Sequence, residues 1–402
     1  MKSFLHRQVW QRLPRSWRRR ALFGASALAA PRVTPNAKPA LPIIVAGPLR
    51  TASGIGETAR LCPSALAAAG LPVYGVDLTT ALMQELDFPG YPFEGAEALR
   101  GSGTIILHVN SPLVPIAKLK LGRDFLHGKH VVGYWAWELP ATPGEWRLGV
   151  PFVHDIWVPS RFTAEALSAL ATGQGVHVVP PPVAIDVKPT DQVERDAARP
   201  FTVLTIFNMA SSFARKNPCA AISAFRSAFG DDPHARLIIK LANMSAYPHG
   251  LKLIQVAIAD ARNITLISAS LEKSALNALY SEADVLISLH RSEGFGLTLA
   301  EAMLRGLPVI ATNWSGNVDF LTGDTGIPVP YRLSPAQDPQ GTYQHPDLRW
   351  ADADIDAAAA ALRRLRADRA LRRTLGEAAA AFGVKAWGGT AYAATARRRL
   401  GL

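Results

Sequence analysis

The sequence of 402 residues predicts an α/β protein with two doubly wound domains, each built on a parallel sheet, that face a common cleft. Short apolar runs alternate with helix-length segments, which indicates βαβ units. Many of these runs are apolar at consecutive positions, as in strands that are buried on both faces of a sheet. The alternation occurs twice, on either side of a polar, charged stretch at residues 187–200 that we interpret as a linker. In open sheets of this kind a ligand lies at the carboxyl ends of the strands, so the site is expected in the cleft.

Six strands are predicted in each half. Those of the first half lie at Leu41–Ala46, Pro72–Val76, Thr104–Val109, His130–Trp135, Asp155–Val158 and Val176–Val179. Those of the second half lie at Phe201–Phe207, Leu237–Leu241, Ile264–Ile267, Val285–Leu289, Pro308–Ala311 and Ile327–Pro330. Asn217-Pro218 predicts the capped start of a helix. The segment Leu333–Trp350, rich in Pro, Gln and Asp, is interpreted as a loop.

These elements divide the chain into four parts. Residues 1–40 form a basic N-terminal segment, 41–197 an N-terminal Rossmann-like domain, 198–387 a C-terminal Rossmann-like domain, and 388–402 a basic helix that we expect to pack back toward the N-terminal domain. Hydrophobic residues make up 49% of the chain, which excludes wholesale disorder. Two cysteines are too few for a disulfide scaffold, and no apolar run reaches the length of a membrane span.

The net charge of +11 arises mostly from the two ends of the chain. Seven basic residues precede Ala21, and Trp10 and Trp17 lie among them. Such a segment is able to lie on an anionic membrane surface, and a solvated tail is the alternative. The run Ala21–Ala30 also resembles a short export signal, although a glycine and a serine interrupt it.

The most informative stretch follows the fourth predicted strand of the second half. There the chain reads H-R-S-E-G-F-G-L, and a helix is predicted to start near Leu297. Gly294 and Gly296 allow the backbone to approach a ligand closely, and a helix start favours an anion. Glu293 in the loop and Glu301 in the helix are both able to accept hydrogen bonds from hydroxyl groups of one ligand.

The pattern S-E-G-F-G…E-A-M…G-L-P-V-I-A resembles the signature of glycosyltransferase family 4, whose members have the GT-B fold. The resemblance implies a retaining hexosyltransferase that uses a nucleotide diphosphate sugar. In that family the first glutamate, here Glu293, contacts the donor sugar, and the second, here Glu301, contacts the nucleotide ribose. The resemblance also places the donor against the residues between them, namely Gly294, Phe295, Gly296 and Leu297.

A basic pair lies near the start of the second half. Arg215 and Lys216 follow its first predicted strand and precede the helix start at Pro218. The resemblance assigns such a pair to the diphosphate leaving group, although in commoner members several residues separate the two charges. A solvated surface position is the alternative interpretation for Arg215.

A glycine loop containing Gly54 and Gly56 follows the first strand of the first half. It resembles the family's loop that approaches the donor phosphate and the acceptor. The same glycines together with Asp77 also fit a dinucleotide-binding fingerprint, so an NAD-dependent oxidoreductase is a second hypothesis. A nucleic-acid-binding protein that uses the basic ends of the chain is a third.

Further candidates follow the third and fourth strands of the first half. The segment from Gly133 to Pro140 resembles bacterial members that build surface polysaccharides, and Glu138 stands near the place where many relatives carry a catalytic histidine. Core packing is the alternative for the tryptophans of this segment. His108 and Asn110, at the end of the third strand, are candidate cleft residues, with a structural role as the alternative.

The resemblance also implies the partners of the reaction. The expected acceptor is a hydroxyl of a glycan or lipid-linked glycan in polysaccharide or lipopolysaccharide biosynthesis. The expected location is the cytoplasm, with peripheral contact to the inner face of the membrane, and no nucleic-acid partner is expected. We expect no cofactor and no metal, because the Asp-x-Asp pattern at Asp352, Asp354 and Asp356 is better explained by acidic residues at a helix start.

Overall fold

The computed structural model describes residues 15–88, 90, 99–171, 173–185, 199–269 and 271–402. Nearly all of the stretch interpreted as a linker lies outside the described residues, as do residues 1–14 of the basic N-terminal segment. Two six-stranded parallel sheets form the frame of the molecule. The predicted architecture of two doubly wound α/β domains is therefore confirmed.

The first sheet contains six strands, and each overlaps its predicted position. They are β1 (Ile43–Gly47), β2 (Val73–Asp77), β3 (Gly103–Leu107), β4 (Lys129–Tyr134), β5 (Asp155–Val158) and β6 (Gly175–Val178). Their order is β2-β1-β3-β4-β5-β6, so the direction of winding reverses between β1 and β3. A reversal of this kind opens a crevice at the carboxyl ends of the strands.

The second sheet repeats this plan. Its strands are β7 (Phe201–Asn208), β8 (Ala235–Ala242), β9 (Ile264–Ile267), β10 (Val285–Ser288), β11 (Val309–Thr312) and β12 (Ile327–Val329). Their order is β12-β11-β10-β7-β8-β9, with the reversal between β7 and β10. The two strands at this reversal are the ones from which the candidate site is built.

Helices cover both sheets. In the first half they are α1 (Arg15–Ala29), α2 (Gly54–Ala68), α3 (Val114–Leu121), α4 (Arg123–Leu126) and α5 (Arg161–Leu167). In the second half they are α6 (Phe213–Lys216), α7 (Pro218–Phe229), α8 (Pro248–Ile258), α9 (Lys273–Glu282), α10 (Leu297–Leu304), α11 (Ile355–Ala367) and α12 (Arg369–Trp387). The last helix is α13 (Gly389–Leu400). Serine side chains cap α2 and α5, as is common where a strand leads into a helix.

Burial on both faces of the sheet explains why the strands are apolar at consecutive positions. Ile44 and Ala46 of β1 lie in the hydrophobic core on one face of the first sheet, and Ile43 and Val45 lie in the core on the other face. All four are fully buried. Successive side chains of a strand point to opposite faces, so a strand covered on both sides is apolar at every position.

The prediction of a loop at Leu333–Trp350 is wrong. The chain there forms an antiparallel hairpin of β13 (Tyr331–Ala336) and β14 (His345–Ala353). Although the hairpin belongs to the second half by sequence, Ala336, Tyr343 and Trp350 are buried in a hydrophobic core of the first half. The hairpin thus depends on contacts with residues far away in the sequence, which its polar local composition does not reveal.

The two places at which the chain passes from one half to the other lie next to each other. After β6 it passes Val183, whose backbone N–H donates to the carbonyl of Trp387 at the end of α12 (3.2 Å). Helix α13 then packs against α2 of the first half, where Cys62 Sγ lies 2.9 Å from Tyr392 Oη. The last helix of the chain therefore completes a core that begins with β1.

Candidate functional site

The candidate site lies in the cleft, at the carboxyl ends of β7 and β10. Arg215 and Lys216 follow β7, and Glu293 follows β10. These two strands are parallel neighbours, so the residues that follow them meet at the same edge of the sheet. The structure thereby brings together three of the residues that were singled out from the sequence.

The Glu293 carboxylate is held between two cations. Its Oε1 accepts a hydrogen bond from Lys216 Nζ at 2.5 Å, and its Oε2 accepts one from Arg215 Nη1 at 3.1 Å. The side chains of Glu293, Lys216 and Arg215 are only 10%, 16% and 4% exposed. Charges in such a setting are tolerated when they are paired and hydrogen-bonded, as they are here.

This pairing keeps Glu293 ionised. Burial acts to raise the pKa of Glu293, but the charges of Lys216 and Arg215 outweigh it and lower the pKa to about 2. Burial lowers the pKa of Lys216 below its ordinary value, and Glu293 offsets part of this effect. An ionised carboxylate only accepts hydrogen bonds, so Glu293 is suited to bind the hydroxyl groups of a ligand.

The two basic residues occupy different places. The Arg215 guanidinium also donates to the carbonyls of Ser211 (2.9 Å) and Ser292 (2.7 Å), and its Cζ lies 5.2 Å from the centre of the Tyr343 ring. Within the described residues, the Lys216 ammonium donates only to the Glu293 carboxylate. Arg215 therefore holds the site together, and Lys216 retains the capacity to bind a ligand.

The predicted capping role of Asn217 is corrected. Asn217 does stand at the start of α7, in the left-handed conformation (φ 49°), but its side chain makes no capping bond. Its amide instead donates to the carbonyl of Leu289 at 3.1 Å. This bond fixes the turn that carries Lys216 to the end of β10, beside Glu293.

The loop that carries Glu293 is held by the segment after β11. The backbone N–H of Glu293 donates to Ser315 Oγ at 2.7 Å, and the N–H of Gly316 donates to the carbonyl of Glu293 at 2.8 Å. A Cβ atom at Gly316 would lie 2.2 Å from the carbonyl oxygen of Gly294, so only glycine fits there. Neither Ser315 nor Gly316 was singled out from the sequence, because their contacts with this loop are long-range.

A buried histidine extends this support. His290 Nε2 lies 3.0 Å from Asn317 Oδ1, and Thr312 Oγ1 donates to the carbonyl of His290 at 2.7 Å. Burial lowers the pKa of His290, so the ring is neutral and donates through Nε2. His290 is a structural support of the loop and was not predicted as one.

The start of α10 is open toward the cleft. Gly296 occupies the N-cap position at φ +103°, and no side chain caps the helix, so its first amide groups remain available to an anion. The predicted donor contact of Phe295 stays a prediction, and it concerns the backbone of this residue. Its ring packs against Phe320 (5.1 Å) and Trp387 (5.8 Å), which leaves only the Phe295 backbone for a ligand.

A second helix start lies opposite. Gly54 begins α2, and a Cβ atom there would lie 3.9 Å from Leu297 Cδ1 at the start of α10. A Cβ atom at Gly56 would lie 2.4 Å from the carbonyl oxygen of Thr51, so the tight loop requires glycine at this position. The positive ends of two helices thus face the same part of the cleft, which favours a phosphate group there.

The geometry around Asp77 does not support a dinucleotide site. Asp77 Oδ1 accepts hydrogen bonds from the N–H of Leu49 at 3.1 Å and from Thr79 Oγ1 at 2.5 Å. Its Oδ2 lies 3.6 Å from Arg50 Nε, and the side chain is 6% exposed. The carboxylate is therefore engaged in shaping the glycine loop and is not free to bind a ribose.

Glu301 lies inside α10 and is partly buried. Its Oε2 accepts a hydrogen bond from Tyr280 Oη at 2.9 Å. Burial raises the pKa of Glu301, and the negative charge of Glu57 on α2 adds to this effect. Glu301 lies one turn inside α10, the helix whose first amide groups are uncapped.

Glu138 forms the opposite wall. Its Oε1 lies 3.7 Å from the position that a Cβ of Gly294 would take, and its Oε2 accepts a hydrogen bond from Tyr343 Oη at 2.7 Å. Tyr343 was missed in the sequence because it lies in the segment interpreted as a loop. Trp135 and Trp137 are 0% and 5% exposed, so the core alternative holds for both.

The two candidates after β3 have structural partners. His108 is 1% exposed and stacks on the Tyr134 ring at 4.5 Å, and burial lowers its pKa to about 3. Asn110 Oδ1 accepts a hydrogen bond from the N–H of Ala136 at 2.9 Å, which positions the segment that leads to Glu138. The structural alternative therefore describes His108, and Asn110 supports the wall.

The aspartates that were set aside as metal ligands have other partners. Asp354 caps α11 by accepting a hydrogen bond from the N–H of Ala357 at 3.0 Å, and Asp352 pairs with Arg291. In the part of the chain that the structure describes, no group of three or more His, Cys, Asp and Glu side chains converges as a metal site would require.

Comparison with known proteins identifies similar sequences. The family described as "Family 4 Glycosyltransferase in conflict systems" matches residues 157–382, which is more than half of the chain. Alpha-1,3/1,6-mannosyltransferase alg-2 of Neurospora crassa is 28% identical over 221 residues, and the match covers 45% of each chain. The chain thus spans less than half the length of this curated relative.

Comparison with solved structures identifies a shared fold. Anabaena HepE in complex with UDP superposes with a TM-score of 0.62 at 13% identity, over 90% of this chain and all of that chain. Sucrose-phosphate synthase from Thermosynechococcus elongatus gives 0.63 at 16% identity, over 89% of this chain and 98% of that chain. TarM of S. aureus, solved with UDP, gives 0.56 at 13% identity, but this chain spans only 55% of its length. These similarities show the GT-B fold.

Proposed function

Because this chain belongs to glycosyltransferase family 4, we propose that it transfers a hexosyl group from a nucleotide diphosphate sugar to a hydroxyl of a glycan or lipid-linked glycan, with retention of configuration. The observation that carries the proposal is the buried Glu293 carboxylate, which Lys216 and Arg215 hold ionised beside the open start of α10. Groups that bind hydroxyls and groups that bind phosphates thus lie side by side.

The reaction requires positive charge at one end of the donor. When the bond between the sugar C1 and the phosphate oxygen breaks, negative charge develops on the diphosphate. Lys216 and the starts of α2 and α10 present fixed positive potential to that group. The Lys216 ammonium, which pairs with Glu293 at 2.5 Å, has a further hydrogen available for the phosphate.

Glu293 orients the sugar in this proposal and does not attack it. A bond from C1 to the acceptor oxygen forms on the face from which the diphosphate leaves, and the departing phosphate oxygen takes the acceptor's proton. No protein nucleophile is needed, in contrast to retaining hydrolases with their paired carboxylates. Glu138, on the opposite wall with Tyr343, is placed to bind an acceptor or sugar hydroxyl.

The same charges make a metal ion unnecessary in the proposed mechanism. Divalent cations commonly neutralise a leaving diphosphate, and here Lys216 and two helix starts supply that charge. We therefore expect transfer to continue in EDTA. Loss of transfer in EDTA with recovery on adding Mn²⁺ or Mg²⁺ would contradict this part of the proposal.

Substitution of the charged residues tests the site. We expect Glu293→Gln and Lys216→Ala each to lower the turnover number on the order of 100- to 1000-fold, because each removes a contact at developing charge. The donor is first identified by thermal shift with UDP-, GDP- and ADP-sugars, since a ligand at 100 times its Kd adds about 2.7 kcal/mol to stability. Proton NMR of the product then reports the configuration of the new linkage.

The matched controls are Glu377→Gln and Lys252→Ala, which change exposed residues on α12 and α8. Circular dichroism establishes that all four variants fold. Turnover within threefold of the wild type in both site variants, with donor saturating, would refute the assignment. An inverted product would refute retention and leave the transferase proposal standing.

A further inference from the structure

A second concavity lies between the two halves of the molecule, beside the candidate site. Its volume is about 570 Å³, and its walls come from α5 on one side and from the segment after β11 on the other. Pro140, two residues after Glu138, forms part of one wall, and Ser315, which accepts the hydrogen bond from the Glu293 N–H, forms part of the other. The pocket is therefore connected by short stretches of chain to both carboxylates.

Three aromatic side chains line this pocket. The Trp314 ring lies 5.6 Å from the Phe162 ring and 5.3 Å from the Tyr331 ring, measured between ring centres. The Trp314 Nε1 atom is buried and has no hydrogen-bond partner among the described residues. Because this atom is covered by protein, Trp314 contributes ring surface and not its N–H to the pocket.

The charged side chains of the pocket disfavour an anionic ligand. Arg161 Nε pairs with Asp319 Oδ1 at 2.9 Å, and Glu165 adds a further negative charge, so one positive and two negative groups leave the lining at −1. Within the described residues, neither the Glu165 carboxylate nor the exposed Asn313 amide makes a side-chain hydrogen bond. The Glu165 carboxylate repels a phosphate, and both groups are free to bind hydroxyls.

We propose that this pocket binds a neutral saccharide, namely the part of the acceptor glycan that lies beyond the reacting hydroxyl. The aromatic rings offer apolar surface to the C–H faces of a sugar ring, while Asn313 and Glu165 supply an amide and a carboxylate acceptor for its hydroxyls. The diphosphate of the donor belongs at the opposite side of Glu293, where Lys216 and the helix starts lie. This inference rests on the proposed transferase function.

The binding experiment uses saccharides directly and needs no turnover. The full-length protein is screened against a printed array of defined neutral and anionic oligosaccharides, and the Kd of the strongest soluble binder is measured by saturation-transfer NMR titration. The test variant combines Asn313→Ala with Glu165→Ala, which removes both polar groups and leaves the aromatic rings unchanged. The control is Val256→Ala, which changes a residue on α8 that is 76% exposed and lies outside the pocket lining.

We expect a neutral oligosaccharide to bind the wild type and the control equally, and the test variant at least about tenfold more weakly, as for the loss of one or two hydrogen bonds. The Kd of the nucleotide sugar should change less than about twofold. Equal saccharide affinity in the test variant, a preference for anionic oligosaccharides, or no saccharide binding at all would overturn the inference. Saccharide binding that depends on the pocket, in a protein that transfers no sugar, would overturn the transferase proposal alone.

Discussion

Lys216 is the residue in the site whose charge is most sensitive to pH. It is 16% exposed, and burial lowers the pKa of its ammonium group below the ordinary lysine value of 10.5. Arg215 next to it keeps its charge at any pH at which the protein is folded, because its pKa is raised from an already high value. Of the two cations in the site, Lys216 is therefore the one that loses its charge as the pH rises.

We expect kcat/KM to fall at alkaline pH, with a midpoint below the pKa of an exposed lysine. As the pH rises through the pKa of Lys216, the ammonium loses its proton and with it the contact to the donor phosphate. The profile of kcat/KM reports the free enzyme, so the lowered pKa applies directly. The measurement compares the wild type with Lys216→Arg between about pH 6 and about pH 10, since arginine stays charged over this range.

The arginine variant is expected to lose the alkaline decline, whatever its absolute rate. A decline at the same midpoint in Lys216→Arg would assign the titration to another group. Glu293 causes no decline of kcat/KM at the acidic end of this range, because its pKa of about 2 leaves it ionised. Its pairing stabilises the fold above its unfolded pKa near 4.5, and that stabilisation is lost as the pH falls toward about 2.

The hairpin β13–β14 links the two halves at the cleft. Tyr343 at its turn donates to Glu138 of the first half, and its ring lies against Arg215 of the second. The turn is itself fixed by Asp338, which accepts hydrogen bonds from Ser212 Oγ at 2.9 Å and from the N–H of Tyr343 at 3.0 Å. The hairpin thus acts as a latch between Glu138 and the α6 turn.

We expect Tyr343→Phe to weaken this latch while leaving the ring packing intact. A hydrogen bond to a charged group contributes about 1.5–3 kcal/mol, so the free energy of unfolding should fall by about that amount. Urea denaturation of Tyr343→Phe, Glu138→Ala and the double variant measures the coupling. Tyr74→Phe, at a tyrosine that is 37% exposed, is the matched control. If the two losses simply add in the double variant, the latch does not exist.

The strands of the two sheets and those of the hairpin differ in how well the sequence predicts them. The strands of the two sheets were predicted to within about two residues, because β1 and its neighbours are buried on both faces and must be apolar at each position. The hairpin was missed because its stability comes from packing Trp350 and Tyr343 into the first half. Strands that each have a solvated face, one proline and charged side chains have the composition of a loop.

The same distinction between local sequence signals and long-range contacts applies to the candidate site. Glu293 and Lys216 were predicted to act on one donor from the family resemblance, and the structure places both after neighbouring parallel strands. Tyr343 lies 205 residues from Glu138 along the chain and reaches it only through the hairpin. Ser315 and Asn317, which support the Glu293 loop, carry no local sequence signal for that role. Their contribution is visible only in the three-dimensional arrangement.

At the scale of the whole molecule, α1 presents a distinctive outer surface. Phe23 is buried and α1 packs against α3, whereas Trp17 is 67% exposed and Leu28 is 91% exposed. Arg20 is exposed near Trp17. Within the described residues, no helix is both long and apolar enough to cross a membrane. Basic and apolar side chains on one exposed surface are typical of helices that lie at an anionic membrane surface.

We expect the full-length protein to bind anionic vesicles peripherally through this basic segment. At roughly 1 kcal/mol per basic residue near the surface, about half of the seven basic residues before Ala21 would give millimolar affinity, and the tryptophans would add to it. Flotation with phosphatidylglycerol-containing vesicles at low salt measures this. The test variant carries Trp17→Ser and Arg20→Glu, both at exposed positions, and so leaves the packed face of α1 unchanged.

Binding should be weaker in that variant, and it should be lost in vesicles without anionic lipid and at high salt, where surface charges are screened. Equal flotation of the wild type and the variant would remove α1 as the anchor. If neither protein floats with the vesicles, the basic segment is a solvated tail and not a membrane anchor.

The packing of α13 against α2 has a consequence for the order of synthesis. The contact between Cys62 and Tyr392 joins residues that are 330 positions apart, so at about 5–20 residues per second the ribosome completes α13 roughly 20–60 s after α2. During that interval the contacts that α13 makes with α2 around Cys62 and Ala65 are absent. The core around β1 and α2 is therefore completed only after the second half of the chain has been synthesised.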